Sequence, residues 1–429
     1  MKKVLIITYY WPPAGGPGVQ RVLKFAKYLP EFGWQPIILT VQNGEYPAYD
    51  ESLFSDIPNE CKVYKTPAIE PFALYKKFTG MSADEAIPVA TLTEKKTNWK
   101  KKLAHWIRLN LFIPDAKIGW IPYAVRAGKH IIRNEKPDII FSSSPPPTVH
   151  LIARSLARWS RIKWVADFRD PWTKIHYYHK NRNELSKLID RTHELKTITS
   201  CSMKTFVSTE FSKLLALNRK NKSLIIPNGY DENELKPIHA KTDYFNIVHV
   251  GGINRSRYYH IFFQSIQNLI NKNVLDRKRI QLIFIGKVED SVAADIRIEC
   301  SGLQQIQLTG YVPHIEALDY MYRANILILF LENVDNYEGH VPGKLFEYIA
   351  AGNFILGIGP QGDAAHILKE TSSGKMFEQN DQKGIEKELA TQYENWGNGI
   401  KPQIDTEFIK KYSRKALTGQ LAEAFNSLM

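Results

Sequence analysis

The sequence is poor in cysteine and has no long apolar run. Its 429 residues include three cysteines, which lack the spacing of a metal site and are too few for a disulfide framework, so we expect a reducing compartment. No apolar run approaches the roughly 20 residues of a membrane-spanning helix, and the apolar stretch after Met1 is too short for a signal peptide. Internal repeats and low-complexity segments are also lacking. These absences indicate a globular protein, and its length allows two domains.

Positive charge is in excess. The chain has 57 Lys and Arg residues against 44 Asp and Glu residues, which gives a net charge of +13 and a pI of about 9.3. The excess favours an anionic partner. Part of it gathers at residues 95–108, KKTNWKKKLAHWIR, where Lys100, Lys101 and Lys102 stand near Trp106. Such a segment can lie on an anionic membrane surface or can be a helix with a solvated basic face. No RNA-binding signature accompanies it, so no nucleic-acid partner is predicted.

The first forty residues predict one βαβ unit. Its parts are a buried strand at Val4–Tyr9, a Pro/Gly-rich loop at Trp11–Gly18, a helix at Val19–Glu31 and a second strand at Gln35–Thr40. Glycines in the loop, Gly16 and Gly18 among them, let a ligand approach the backbone and the helix start closely. The loop is not a GxGxxG fingerprint and no acidic residue ends the second strand, so dinucleotide binding is the weaker interpretation. A plain tight turn fits the loop as well as a binding role does.

The α/β pattern returns after residue 137. A strand at Trp164–Ala166 is followed by Asp167, Arg169 and Asp170 in the segment DFRDPW. We predict that these charged side chains bind a ligand, because ligands bind at the carboxyl ends of strands in an open parallel sheet. Further short strands are predicted at Thr197–Ser200 and Ser223–Ile226, with the interdomain connection near residues 227–231.

The second half places several cations at one edge of a predicted sheet. Arg255 or Arg257, Lys287 and Lys344 each fall at a strand end or at the following helix start. Together they suggest a diphosphate site that needs no metal ion. A helix is predicted at Gly343–Ala351, with Lys344 and Glu347 on one face. Considered by itself, that pair could also be an ordinary exposed ion pair.

Seven motifs together carry a family resemblance. They are YYWPPAGGPGVQR, DFRDPW, IPNGYD, GGINRSR, GKVE, TGYVP and VPGKLFEYIAAG. In this order, over nearly the whole chain, they resemble the retaining nucleotide-sugar glycosyltransferases of glycosyltransferase family 4, in particular its bacterial surface-polysaccharide members. The resemblance implies an α/β fold of the GT-B class, with two facing Rossmann-like domains built on parallel sheets. The expected domains are residues 1–232 on the acceptor side and 233–411 on the donor side, with 412–429 crossing back as a helix onto the first.

The resemblance also implies roles for individual residues. Arg257, with Arg255 as its rival, and Lys287 would hold the donor diphosphate. Lys344 and Leu345 belong to the same donor-binding motif, Glu347 would bind the ribose hydroxyls, the backbone around Val312 would bind the base, and Gly16 and Gly18 would approach the donor phosphate.

Two departures from the family pattern affect these expectations. The usual pair of glutamates has seven residues between its members, whereas Glu338 and Glu347 have eight, and Gly339 stands at the usual position. The sugar contact of the first glutamate is therefore not carried over to Glu338. Many relatives also have a histidine where this chain has DFRDPW. We expect Asp170, with Arg169, near the reacting sugar, and Asp167 as a further candidate.

The resulting expectation is transfer of a sugar from a UDP- or GDP-type donor to a glycan or polyprenyl-diphosphate-linked sugar, with no cofactor and no metal ion. We expect a cytoplasmic enzyme that is peripheral on the inner face of the plasma membrane. A nucleotide-sugar epimerase on the same fold and a non-catalytic sugar-nucleotide binding protein are the alternatives.

Overall fold

The chain forms two compact units. The computed structural model describes residues 1–46, 48–69, 99–175, 181–215, 221–234, 243–303, 305–334 and 336–429. One unit comprises residues 1–227 and 414–429, and the other comprises residues 228–413. The domain ends after residues 232 and 411 stay predictions from the sequence.

The first unit is built on a parallel sheet of seven strands. They are β1 (Lys2–Ile7), β2 (Trp34–Val41), β3 (Lys62–Thr66), β4 (Ile139–Ser144), β5 (Lys163–Phe168), β6 (Met203–Phe206) and β7 (Lys222–Ile225). Their order in the sheet is β3-β2-β1-β4-β5-β6-β7, and every neighbouring pair is parallel. The order reverses between β1 and β4, which is the switch point where ligands bind in such sheets.

Helices cover both faces of this sheet. They are α1 (Pro17–Tyr28), α2 (Trp99–Asn110), α3 (Ile121–Glu135), α4 (Thr148–Ser160), α5 (Glu184–Ser200) and α6 (Thr209–Leu215), together with α14 (Arg414–Asn426). β4 is buried along its whole length, as expected for a parallel sheet packed on both sides.

The predicted strand at Thr197–Ser200 is wrong. These residues are the last turn of α5, and the strand that follows is β6. The β-branched residues in this turn favour a strand locally. The helix continues through them because Thr197 and Ile198 are buried against the rest of the unit.

The second unit repeats the architecture with six parallel strands. They are β8 (Phe245–Val250), β9 (Ile280–Ile285), β10 (Ile306–Gly310), β11 (Ile326–Phe330), β12 (Phe354–Ile358) and β13 (Gly374–Phe377), in the order β10-β9-β8-β11-β12-β13. Its helices are α7 (His260–Asn271), α8 (Asp290–Glu299), α9 (His314–Arg323), α10 (Gly343–Ala351), α11 (Asp363–Glu370), α12 (Gln382–Gly397) and α13 (Thr406–Lys410). The switch point of this sheet lies between β8 and β11.

Helix α14 follows the second unit in sequence but packs into the core of the first. Phe425 is fully buried there, with its ring 5.2 Å from that of Trp34 and 5.8 Å from that of Phe141. Among the described residues, none of the helices has the length and apolar character needed to span a bilayer. The predicted fold class, α/β with two parallel-sheet units, is confirmed.

Candidate functional site

The centre of the second unit's candidate site is Lys344, in the first turn of α10. Its ammonium donates a hydrogen bond to the carbonyl of Val250 at 2.8 Å and lies 3.4 Å from Nε2 of His249. Both residues are at the end of β8, so Lys344 lies at the switch point. No side chain caps the N-terminus of α10. The next residue, Leu345, has its side chain wholly in the core, and its backbone N–H donates to the carbonyl of Pro342 at 3.1 Å.

His249 supports Lys344 as a neutral hydrogen-bond acceptor. Its Nδ1 lies 2.9 Å from the carbonyl of Ile328, and since a carbonyl only accepts, Nδ1 carries the proton and Nε2 presents its lone pair to Lys344. Burial and the Lys344 ammonium hold the pKa of His249 well below its usual range. Burial and the Arg257 guanidinium also lower the pKa of Lys344 itself, to about 7, against the opposing effect of Glu347.

The structure separates the two candidate arginines. Nε of Arg257 donates to Glu332 at 3.0 Å, at the end of β11. Arg257 and Lys344 also both lower the pKa of His340, which burial brings to about 3. Arg257 therefore belongs to the group around Lys344. Arg255 pairs instead with Asp295 of α8 at 2.5 Å and is half exposed.

Glu347 lies one turn after Lys344 and is partly exposed. Its Oε1 is 3.9 Å from Nε2 of His314, at the start of α9. Val312, two residues before that histidine, is partly buried and packs against the apolar core that contains Leu345. The predicted ribose-binding and base-binding positions thus adjoin each other at one edge of the unit.

Two glycines allow the backbone to close up beneath Lys344. Gly251 has φ +117°, and a Cβ there would lie 3.1 Å from the Lys344 ammonium. Gly286 has φ +116°, and a Cβ there would lie 2.8 Å from the backbone of Gly251. Side chains are excluded from both positions, so the ends of β8 and β9 meet directly. Lys287, the next residue, is exposed at this edge.

In the first unit, Arg169 fixes the loops at the sheet edge. Three of its N–H groups donate to backbone carbonyls: those of Ser144 at 2.8 Å, Gly18 at 2.6 Å and Pro145 at 3.0 Å. It thereby ties the end of β5 to the end of β4 and to the first turn of α1. Gly16, the residue before α1, is exposed with φ +81°. Arg169 therefore holds the end of the predicted glycine loop against the ends of β4 and β5.

Asp167 is a structural residue and not the ligand group that the sequence predicted. It is fully buried and pairs with Arg21 of α1, which donates to its two oxygens at 2.8 and 3.0 Å. Ser143 and Thr205 also donate to it, each at 2.6 Å. Burial alone would raise the pKa of this carboxyl, but Arg21 and the two hydroxyls hold it below its usual value. The pair joins α1 to the sheet interior.

Asp170 remains as the candidate reactive group of DFRDPW. Within the described part of the chain, its carboxylate accepts no hydrogen bond, and the residue is partly exposed. Burial raises the pKa of Asp170, and the Arg169 guanidinium opposes this. An unpaired, partly desolvated carboxylate at a strand end suits contact with substrate hydroxyls.

The described residues of the basic segment, 99–108, lie in helix α2. Trp106 and Lys102 lie on α2 and are exposed. Lys100 and Lys101 are in the same helix, but their side chains are not among those described, and residues 95–98 lie outside the described residues. Whether this segment meets a membrane stays a prediction.

Sequence reasoning missed His249 and Arg21. Both side chains are fully buried or nearly so, and both act on another charged residue far away in the chain. A histidine in the mostly apolar strand FNIVHV was the available signal for His249. No comparable signal marked Arg21.

Structural comparison finds the same fold in several solved proteins. A glycosyltransferase from Rickettsia africae aligns over 100% of this chain and 98% of its own, with a TM-score of 0.63 and 14% identity. HepE of Anabaena, solved with UDP and glucose, aligns over the full length of both chains, with a TM-score of 0.60 and 13% identity. A Listeria monocytogenes protein described as a UDP-N-acetylglucosamine 2-epimerase covers 100% of this chain and 97% of its own, with a TM-score of 0.56 and 10% identity. At these identities the likeness is one of fold.

Sequence comparison identifies the family. No curated protein sequence matches the chain significantly. The family model for Glycosyltransferase Family 4 matches residues 16–234, slightly more than half of the chain. That stretch contains Gly16 and Gly18, Arg21, Arg169 and Asp170. The chain belongs to Glycosyltransferase Family 4.

Proposed function

We propose that this glycosyltransferase moves a sugar from a nucleoside-diphosphate sugar to a glycan or lipid-linked sugar, with retention of anomeric configuration and without a metal ion. The observation that carries the proposal is the group formed by Lys344, Arg257 and the uncapped start of α10 at the switch point of the second sheet. Two cations and a helix N-terminus suit a diphosphate.

The diphosphate is the leaving group, and the cations act on it. As the bond between the anomeric carbon and the diphosphate oxygen breaks, negative charge grows on that oxygen. Lys344 and Arg257, with the exposed Lys287, stabilise this charge. The new bond forms on the same face of the sugar, and the acceptor hydroxyl gives its proton to the departing diphosphate. Charge balance at the diphosphate then needs no metal ion, and no other cofactor is proposed.

Glu347 binds the nucleoside. A carboxylate accepts hydrogen bonds from the two vicinal hydroxyls of a ribose, and its partly exposed position beside His314 leaves it open to solvent. The backbone around Val312 binds the base, which is of the uridine or guanosine kind.

Asp170 serves the acceptor side in the first unit. We infer that its carboxylate orients sugar hydroxyls and stabilises the positive charge that develops at the anomeric carbon, rather than acting as a nucleophile. Its lack of a hydrogen-bond partner in the described chain supports this role, because the carboxylate is then available to substrate.

The acceptor is a polyprenyl-diphosphate-linked sugar in surface-polysaccharide biosynthesis, of the capsule or O-antigen kind. The basic segment with Trp106 and the net charge of +13 support a peripheral site of action on the cytoplasmic leaflet. A soluble glycan acceptor is the competing possibility.

The donor proposal is tested by titration calorimetry with UDP, GDP and their sugars. One nucleotide diphosphate should bind with micromolar or better affinity, and Glu347→Ala should weaken the nucleoside contribution while the unfolding temperature stays the same. Binding and turnover should survive EDTA. Absence of binding by every nucleotide would remove the proposed site.

Product analysis separates transfer from epimerisation. With donor and a lipid-linked acceptor, NMR of the product should show the anomeric configuration of the donor; an inverted linkage would contradict the proposed stereochemistry. A changed sugar configuration in the absence of any acceptor would identify an epimerase.

A further inference from the structure

Helix α2 carries an apolar stripe on its outer face. Trp99, Leu103 and Trp106 follow one another at spacings of four and three residues, which places them on one side of the helix. All three are exposed, Trp99 to 64%. Ala104 and Leu109 are the buried residues of the opposite faces. A solvent-facing helix normally carries polar residues at the positions of the stripe.

Helix α5 has the same inversion in its first half. Leu185, Leu188 and Ile189 are exposed, to 67%, 63% and 39%, whereas Asp190 and Glu194 are buried. The carboxylates are held inside by hydrogen bonds. Nε1 of Trp172 donates to Asp190 at 2.8 Å, and the backbone and hydroxyl of Thr173 donate to Glu194 at 3.0 and 2.8 Å.

These contacts fix which side of α5 points outward. A helix whose carboxylates are anchored in the interior cannot rotate its leucines inward without leaving the buried donors of Trp172 and Thr173 unpaired, which is costly. The exposed apolar triad is therefore a stable feature of the helix and not a local slip in its packing.

The end of α2 lies beside the start of α5. Asn110 continues the stripe of α2, four residues after Trp106, and it is the residue that meets α5. Its side-chain oxygen accepts from the backbone N–H of Asn183 at 2.7 Å, and its carbonyl accepts from the hydroxyl of Ser186 at 3.0 Å. The C-terminal end of α2, with the exposed Leu111 directly after it, thus lies beside the first turn of α5.

We call the combined area the α2–α5 surface. It consists of Trp99, Leu103, Trp106, Leu111, Leu185, Leu188 and Ile189. These are seven of the 21 large apolar side chains that are exposed in the described part of the chain. Exposed apolar residues are common singly, but a concentration of this kind marks an interaction site.

Positive charge is in excess on the exposed parts of the two helices. Helix α2 contains no acidic residue. Of the three acidic residues of α5, two are the buried carboxylates, and Glu184 pairs with Lys187 at 2.7 Å. Exposed cations remain, namely Lys102, Arg191 and Lys196, with the partly exposed Arg108 nearby. The partner must offer both apolar depth and negative charge.

We propose that the α2–α5 surface docks on an anionic lipid bilayer, with α5 supplying as much of the apolar contact as α2. Indole rings lie at the headgroup level, leucines enter the acyl boundary, and the cations contact lipid phosphates. The inference names the surface through which this protein would contact the membrane. Its biological meaning rests on the proposed function. Sequence reasoning assigned only the basic helix, because exposed leucines in an α-helical pattern look like core residues.

Vesicle co-sedimentation tests this surface. We would use the full chain with vesicles of phosphatidylglycerol and phosphatidylcholine in equal parts, and with phosphatidylcholine alone. Wild-type protein should sediment with the anionic vesicles at low salt and much less with the neutral ones. The triple variant Leu185→Gln, Leu188→Gln and Ile189→Gln should lower the ratio of bound to free protein by about tenfold or more.

A matched control removes the same chemistry elsewhere. Val274, Ile298 and Ile400 are exposed apolar residues of the second unit, and changing all three to glutamine should leave vesicle binding unchanged. UDP affinity should be unaltered in both triple variants, which shows that they are folded. Absence of both UDP and GDP binding by the wild type would count against the proposed function and leave the docking result standing.

Two outcomes would overturn the proposal. Vesicle binding of the α5 variant at the wild-type level would leave α2 as the membrane contact and remove α5 from it. A dimer that forms without vesicles and is lost in the α5 variant would identify the surface as an interface between copies of the chain.

Discussion

The role of each charged residue depends on the partner it already has. Arg255 and Arg257 stand two positions apart in one loop, and nothing in that loop distinguishes them. Their partners do: Asp295 lies 40 positions away from Arg255, and Glu332 lies 75 positions away from Arg257. Pairing over such separations is set by strand order, which the local sequence does not contain.

The two arginines make a matched pair of variants. Arg257→Ala should weaken UDP binding by about 1.5–3 kcal/mol, the usual range for a hydrogen bond to a charged group, or roughly 10–150-fold. Arg255→Ala should change the UDP affinity little, because Arg255 is exposed and already pairs with Asp295 of α8, and exposed ion pairs contribute little. Titration calorimetry measures both. Equal losses in the two variants would show that Arg255 also reaches the diphosphate.

Lys344 should make donor binding dependent on pH. Its pKa of about 7 in the free protein leaves the side chain partly neutral at neutral pH, and a bound diphosphate favours the ammonium. Binding should therefore take up a proton, and affinity should fall as the pH rises above about 7. Calorimetry in two buffers of different ionisation heat measures the uptake, which Lys344→Met should abolish. Identical heats in both buffers for the wild type would contradict this.

The same shift has the opposite effect on stability. The folded-state pKa of Lys344 is lowered from 10.5 to about 7, so the unfolded chain binds more protons between these values. The contribution of Lys344 to stability then declines as the pH falls through that window. At pH 7, Lys344→Met should not lower the unfolding temperature.

Whole elements were easier to predict than the roles of the residues within them. Helix α10 begins and ends where the sequence places it, because Pro342 stands just before its start and Gly352 stands just after its end. The strand predicted at Thr197–Ser200 was wrong, because packing of the helix overrides the local β-preference of these residues. In DFRDPW the position at a strand end could be predicted, but the burial of Asp167 depended on Arg21, which lies 146 positions earlier in the chain.

The segment after β5 offers a second matched pair. Asp167→Asn should destabilise the protein by about 3–5 kcal/mol, because it leaves the buried Arg21 without its counter-charge. Asp170→Asn should leave stability unchanged, since it removes a carboxylate that burial already disfavours, while turnover falls about a hundredfold or more. Urea unfolding and a donor-turnover assay decide between them. A stable but inactive Asp167→Asn enzyme would reverse the two roles.

At the scale of the whole molecule, two units share one architecture but differ in how their cores are completed. The second unit is continuous in sequence, from 228 to 413, whereas the first needs residues 414–429. The two-unit α/β class was predictable because strand and helix patterns repeat in each half. The docking surface on α2 and α5 was not, because it depends on which helix faces remain uncovered.

Phe425→Ala should therefore weaken the first unit selectively. Truncating a fully buried phenylalanine costs about 3–5 kcal/mol, and Phe425 packs only against first-unit rings, those of Trp34 and Phe141, among its described ring contacts. Calorimetry should show one unfolding transition lowered while UDP still binds. Phe54→Ala, at an exposed position of the same unit, is the control and should have little effect. Loss of UDP binding in the first variant would show that the units do not unfold separately.

The position of α14 also sets the order in which the two units can finish folding during synthesis. The ribosome completes residues 1–227, then residues 228–413, and only afterwards the helix that fills the first core. At about 5–20 residues per second, the intervening 186 residues take roughly 10–40 s. Throughout that interval the apolar surface around Trp34 and Phe141 stays uncovered on the nascent chain. The unit synthesised first is thus the one that finishes folding last. Chaperones that bind nascent chains would have to shield its uncovered apolar surface.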